Sequence, residues 1–158
     1  GGMDAVAGPM LRQLKQLDMS TLFFGGDGIC TAELPRLAGD ALGSKQVFCA
    51  EAGGLLDDST KQRNLAFRQR FQEENGVDVK LYAPYVYDAT MILVEAMKKA
   101  DSIDPKIFSS QIKKVNYSGV TGPISFDKFG DVKNAALTIF SFKDGSKFPI
   151  EVVESSGG

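Results

Sequence analysis

The chain predicts an α/β fold, helices layered on a sheet with a mixed edge, and two features carry the prediction. Stretches of helical apolar period alternate with short apolar strands through most of the chain, and the final quarter changes to the near two-residue period of strands joined by a hairpin.

The first helix is read over Ala5 to Leu17, where Val6, Met10, Leu11, Leu14 and Leu17 form an apolar stripe and Asp4 is placed as N-cap. Thr21 to Phe24 reads as a strand that runs into Gly25-Gly26-Asp27-Gly28, glycines that let the backbone turn tightly. A short helix is expected from Thr31 to Ala38 and a strand from Gln46 to Ala50. Asp57-Asp58-Ser59 is a helix start signal, and Thr60 to Glu74, with Leu65, Phe67 and Phe71 among many charges, reads as an exposed amphipathic helix stopped at Asn75-Gly76. Tyr85 to Ala100 is more apolar and is expected to be buried more deeply. Pro105 to Val115 follows, with Asp104 as N-cap and Pro105 at the first helical position. Ile124 to Phe126, Leu137 to Phe142 and Phe148 to Val152 read as strands. Asp127 to Asp131 and Lys143-Asp144-Gly145-Ser146 supply the turns, the second a hairpin, and Ser155 to Gly158 reads as a frayed end.

Composition narrows the function classes. With 158 residues there is material for one core, and a chain of this size buries roughly two thirds of the surface its unfolded form exposes. The 18 basic and 20 acidic residues are dispersed, giving a formal charge of -2 and no basic stripe for nucleic acid. The most apolar windows, Ala89 to Ala96 and Ala135 to Phe142, are far shorter than the roughly 20 residues that cross a bilayer. No basic, apolar and small-residue succession opens the chain, so a secretory signal is either absent or removed. Histidine is absent, which removes the commonest general base and the commonest transition-metal ligand. Cys30 and Cys49 are too few for a zinc site and stand either as free buried thiols or as one disulfide. No catalytic residue, metal site or cofactor is expected.

Gly25-Gly26-Asp27-Gly28 lacks the Gly-x-Gly-x-x-Gly spacing of a dinucleotide loop. Asp27 stands where open α/β sheets bind ligands, beyond the carboxyl end of a strand, and there a carboxylate holds an ammonium group through charge-assisted hydrogen bonds. The plainer role for it is a turn aspartate that caps the next helix. Tyr82, Tyr85 and Tyr87 either cover the edge of a core or form an aromatic wall for an apolar ligand. The acidic pair Asp57-Asp58 and the run Gln72-Glu73-Glu74 read as solvated helix ends.

Three blocks, taken together, resemble the leucine/isoleucine/valine-binding proteins. They are Gly1 to Gln13, with its Gly-Gly, a contact residue and Leu-Arg-Gln; Phe24 to Gly28; and Gly119-Val120-Thr121-Gly122-Pro123-Ile124-Ser125-Phe126-Asp127 with Gly130-Asp131. The resemblance covers essentially the whole chain. It implies the C-terminal part of a two-lobed type I periplasmic-binding-protein fold: parallel strands flanked by helices, with a C-terminal hairpin. By analogy residues 1–50 and 132–158 would come from lobe two and 51–131 from lobe one, with the strand before Gly1 and the serine and threonine cluster that binds the ligand carboxylate both lying upstream.

The implied function is an extracytoplasmic, periplasmic solute-binding component of an ABC transporter. It would carry a branched-chain or related small amino-acid-like ligand between two lobes to a membrane permease, and would not be an enzyme. The family's acidic contact to the ligand ammonium falls on Asp27, its aromatic contact after Gly-Gly on Met3, and the aromatic lining of the side-chain subsite on Tyr82. Met3 in place of a ring alters the apolar subsite. An exported setting favours a Cys30–Cys49 disulfide. A chain holding only these parts of both lobes is expected to associate with a second copy, as a domain-swapped dimer. The alternative function on the same fold is the ligand-sensing module of a signalling receptor.

Overall fold

The computed structural model describes residues 2–44, 47–54 and 56–154. Gln46, placed in a strand above, and Ser155 to Gly158, read as a frayed end, lie outside the described residues. The chain divides into two compact units, one built from the residues up to Gly54 together with those from Ala135 onward, the other from those between Leu55 and Asn134.

Among the described residues the first unit is a four-stranded mixed sheet packed with short helices. β1 (Phe23–Gly25) runs parallel to β2 (Val47–Ala52), with Phe23 opposite Val47 and Gly25 opposite Cys49. On the other side of β2 lies β5 (Ala136–Lys143), antiparallel, and beyond it β6 (Ser146–Glu154). β5 and β6 form the expected hairpin. Asp144 and Gly145 both take positive φ, 51° and 73°, which matches the right-handed twist of the strands they join.

α1 (Asp4–Gln16) begins one residue earlier than its pattern implied, and Asp4 is its first residue, not its cap. Met3 holds the capping position without a side-chain bond, and Asp4 Oδ1 accepts instead from the Ala5 N–H. The stripe of large apolar residues also misleads. Val6, Met10 and Leu17 are exposed, whereas Ala7, Gly8 and Leu11 are buried. The reason is the close approach of α2 (Leu34–Ala38): a Cβ on Gly8 would lie 2.5 Å from Leu37 Cβ, so this contact selects for small residues over large ones. Arg12 Nη1 donates to the Leu37 carbonyl at 2.8 Å and reinforces the contact.

The helix read over Thr31 to Ala38 begins later, at Leu34, because Asp27–Ile29 first makes a single 3₁₀ turn. A helix that the pattern did not reveal, α3 (Asp40–Ser44), follows Gly39, where a left-handed φ of 57° breaks the chain direction. Leu11, Ile29, Cys30, Leu34, Ala38, Ala41, Val47 and Cys49 close the core, with Phe23, Phe140 and Phe142 packed against it.

The second unit is helical, with a small sheet. α4 (Asp58–Asn75) starts where Asp57 accepts from the Thr60 N–H at 2.8 Å and stops at Gly76 in the left-handed region. α5 (Ala83–Ala100) buries Pro84, Asp88, Ile92 and Ala96, one residue in each turn. α6 (Pro105–Ile112) is capped by Asp104 as expected but ends three residues before Val115. The strand expected at Ile124 to Phe126 is replaced by two short pairings, β3 (Tyr117–Ser118) with β4 (Pro123–Ile124) and a bridge from Phe126 to Val132. Ile92, Ala96, Phe108 and Val115 form this unit's core. Among the described residues no helix is long and apolar enough to cross a membrane.

Candidate functional site

The residues that follow Asp27 in the loop leaving β1 are held in place from several sides. Gly28 is buried against the start of α1; a Cβ there would fall 2.7 Å from the Gly2 carbonyl oxygen and 2.9 Å from Met3 Sδ, so only glycine fits. Ile29 is in the core, and Cys30 is joined by a disulfide to Cys49 of β2, with Cα atoms 5.5 Å apart. The Thr31 hydroxyl donates to Asp4 Oδ2 at 2.6 Å and accepts from the Leu34 N–H at 3.2 Å. Asp27 itself is exposed, with Oδ1 accepting from the Gly28 N–H at 2.9 Å. One carboxylate oxygen is thus turned back onto the loop.

Met3, half exposed at 50%, packs against Gly28, the residue that follows Asp27. Tyr82 belongs to the second unit, where it occupies the residue before α5 and is 44% exposed. Tyr87, of the same tyrosine group, serves packing: its ring stacks on Phe67 of α4 with centroids 5.0 Å apart.

The first unit also carries a groove of about 300 Å³ lined by Pro35, Gly39, Asp40, Leu42 and the hairpin residues Phe142 to Gly145. The register places it at the amino end of β2, the end of the sheet away from Asp27. Asp40 on its rim has its carboxyl held below the usual carboxylate range by the hydrogen bond and the charge of Lys15.

Two arrangements escaped the sequence reading. Lys147 of β6 reaches the loop after Asp27, with Nζ 3.0 Å from the Cys30 carbonyl oxygen and paired to Glu51. In the second unit the buried carboxylate of Asp88 gathers the loop Gly119 to Gly122. Asp88 is the one charged residue between Tyr85 and Val94, a signal that could have revealed it, whereas nothing near Lys147 in the sequence points to its partners.

The family model for periplasmic binding proteins matches residues 2–147. The chain belongs to the periplasmic binding protein family. Among curated members, a leucine-, isoleucine-, valine-, threonine- and alanine-binding protein of Pseudomonas aeruginosa is 26% identical over 96% of this chain. A Leu/Ile/Val-binding protein homolog of Brucella abortus is 31% identical over 92% of it. The chain spans 39% and 38% of the lengths of these two relatives. Among solved structures, a leucine-binding protein of Thermotoga maritima superposes with a TM-score of 0.77 at 24% identity, over 98% of this chain and 43% of that one. A branched-chain amino acid transporter substrate-binding protein of Streptococcus pneumoniae, solved with isoleucine, gives 0.72 at 20% identity, over 97% and 43%. These neighbours share the type I periplasmic binding fold with the chain. The two curated relatives are amino-acid-binding proteins by name. Neither the fold nor these relatives support the exchange of elements between copies that the sequence led us to expect.

Proposed function

We propose that this periplasmic binding protein chain is the C-terminal part of the periplasmic solute-binding component of an ABC transporter, taking a branched-chain or related small aliphatic amino acid and delivering it to a membrane permease. Asp27 accepts the ligand ammonium group, and Met3 and Tyr82 line the subsite for the apolar side chain. In the full-length protein, residues 1–50 and 132–158 belong to lobe two and 51–131 to lobe one, and the ligand is enclosed when the lobes close. No catalytic step is part of this function.

The observation that carries the reading is Asp27, an exposed carboxylate on an otherwise fastened loop at the carboxyl end of β1, with Met3 beside it. A fixed carboxylate loses little freedom when it takes up an ammonium group, and so keeps most of the interaction energy. That the relatives bind leucine, isoleucine and valine supports this ligand class.

The test is isothermal titration calorimetry of the full-length protein with L-leucine, L-isoleucine, L-valine, L-alanine and L-threonine. At least one binds, and Asp27→Asn weakens that binding by about tenfold or more, the cost of losing one charge-assisted contact. Absence of heat with all five, or an Asp27→Asn variant that binds as the parent does, overturns it.

A further inference from the structure

We propose that Lys147 is a positioning residue for Asp27, an inference that rests on the ammonium-binding role given to Asp27 above. A short covalent and hydrogen-bonded path joins the two. Lys147 Nζ donates to the carbonyl oxygen of Cys30 at 3.0 Å, and the Cys30 N–H donates to the carbonyl oxygen of Asp27 at 2.9 Å, closing the turn that presents the carboxylate. Cys30 Sγ is bonded to Cys49 of β2. Every attachment point of Cys30, its N–H, its carbonyl and its sulfur, is therefore occupied.

The lysine is itself immobilised. An ammonium group has three N–H donors and no acceptor. Here its surroundings are the Cys30 carbonyl, the Glu51 carboxylate and the face of the Phe140 ring, whose centroid is 4.6 Å from Nζ. The side chains of Lys147 and Glu51 are only 27% and 12% exposed. Water therefore competes weakly for the pair, and loss of either partner strands a half-buried charge. Glu51 lies two residues beyond Cys49, so the disulfide and the ion pair brace the same stretch of β2 against the same loop residue. A stability role alone would place such a pair anywhere in the core; its placement on the residue that closes the Asp27 turn points to the carboxylate.

A double-mutant cycle separates positioning from plain stability. The affinity of the full-length protein for the tightest-binding of the five amino acids above is measured for the parent, Lys147→Met, Asp27→Asn and the double variant, with thermal unfolding recorded for each. Lys147→Met is expected to weaken binding by about tenfold when Asp27 is present and by less than about twofold in the Asp27→Asn background, because a misplaced contact that has already been removed costs nothing more. Lys147→Arg, which keeps the charge and the donors, is expected to remain close to the parent. Should Lys147→Met not fold, Glu51→Gln replaces it in the same cycle. Equal losses in the two backgrounds, or no loss in either, overturn the role of Lys147 while leaving Asp27 as the ammonium contact. An Asp27→Asn variant that binds as the parent does, or a parent that binds none of the five, fails the underlying reading and this inference with it.

Discussion

Asp88 holds Thr121 twice: its Oδ2 accepts from the main-chain N–H at 2.8 Å and from the hydroxyl at 2.6 Å. Oδ1 accepts from the Val120 N–H at 2.9 Å, and the side chain is almost fully buried. From α4, Arg63 Nε donates to the Gly119 carbonyl and Asn64 Nδ2 to that of Val120, so the loop's donors and acceptors are both met by side chains.

Asp88→Ala leaves the buried Val120 N–H and the part-buried Thr121 N–H without their partners. Each charge-assisted bond contributes about 1.5–3 kcal/mol, so a loss of at least about 3 kcal/mol is expected in urea unfolding of the protein. Gly119→Ala attacks the same place sterically, since the new Cβ would lie 2.3 Å from Asp88 Oδ2. Both variants are expected to speed amide exchange at Val120 and Thr121; unchanged protection there would refute the clamp.

Gly8→Ala opposes two effects. Alanine in a helix interior is favoured over glycine by about 1 kcal/mol, while the contact with Leu37 Cβ at 2.5 Å must be relieved. Overpacking of this kind costs about 1–3 kcal/mol. Net destabilisation is the expected result in denaturant titration, and a stabilised variant would show that α1 and α2 are not so closely packed.

The Cys30–Cys49 disulfide spans a sequence separation of 19 residues. A loop of this length stabilises the folded state by about 3 kcal/mol through the unfolded chain. The Cys30→Ala/Cys49→Ala pair is expected to lower the unfolding free energy by about that amount. Mass spectrometry of the purified protein, alkylated after denaturation without reductant, should find both cysteines unlabelled.

Acid weakens the protein through carboxylates held below their usual range, Asp57 and Asp127 as well as Asp40. The Asp57 carboxyl is held below the usual carboxylate range chiefly by the N–H of Thr60, with further bonds from Ser59 and the Thr60 hydroxyl. Burial pushes the Asp127 carboxyl upward, yet the N–H groups of Asp131, Gly130 and Phe129 outweigh it and keep the group below its ordinary value. A lowered folded value means stability that is present above about pH 4 and lost as the pH falls through that folded value. Asp57→Ala is therefore expected to be less stable than the parent at neutral pH, with the difference shrinking toward pH 3. A gap between the two urea midpoints that stays constant from neutral pH to pH 3 would contradict this.

How much could be read in advance depended on whether the deciding contact was local. Asp57 and Asp104 announce α4 and α6 because a cap acts on N–H groups two or three residues away. Asp144-Gly145 announces the hairpin for the same reason, since the turn's left-handed residues are written in the sequence. The buried face of α1 was misread because size stood in for burial, and at Ala7 and Gly8 a close neighbour makes small residues the buried ones. α3 was missed because the sequence reading ended the helix at Ala38 and found no further pattern after Gly39. Around Asp27, the sequence shows an acidic residue among glycines, but the approach of Met3 to Gly28 and of Lys147 to Cys30 depends on segments far apart in the chain.

The order of the strands bears on how the protein assembles as it is made. β2 touches β1 on one side and β5 on the other, yet about eighty residues of the second unit separate β2 from β5 in the chain. The described residues of that second unit are a contiguous run, and its core residues are all available once Phe126 has been synthesised. The first unit must wait for the hairpin. Until then β2 has a bare edge, Glu51 lacks its cation, and the two cysteines meet without Phe140 and Phe142 to cover them. A nascent chain halted before residue 135 would therefore have the second unit's described core residues in hand but leave the first unit open, vulnerable to proteases and to sticking edge to edge.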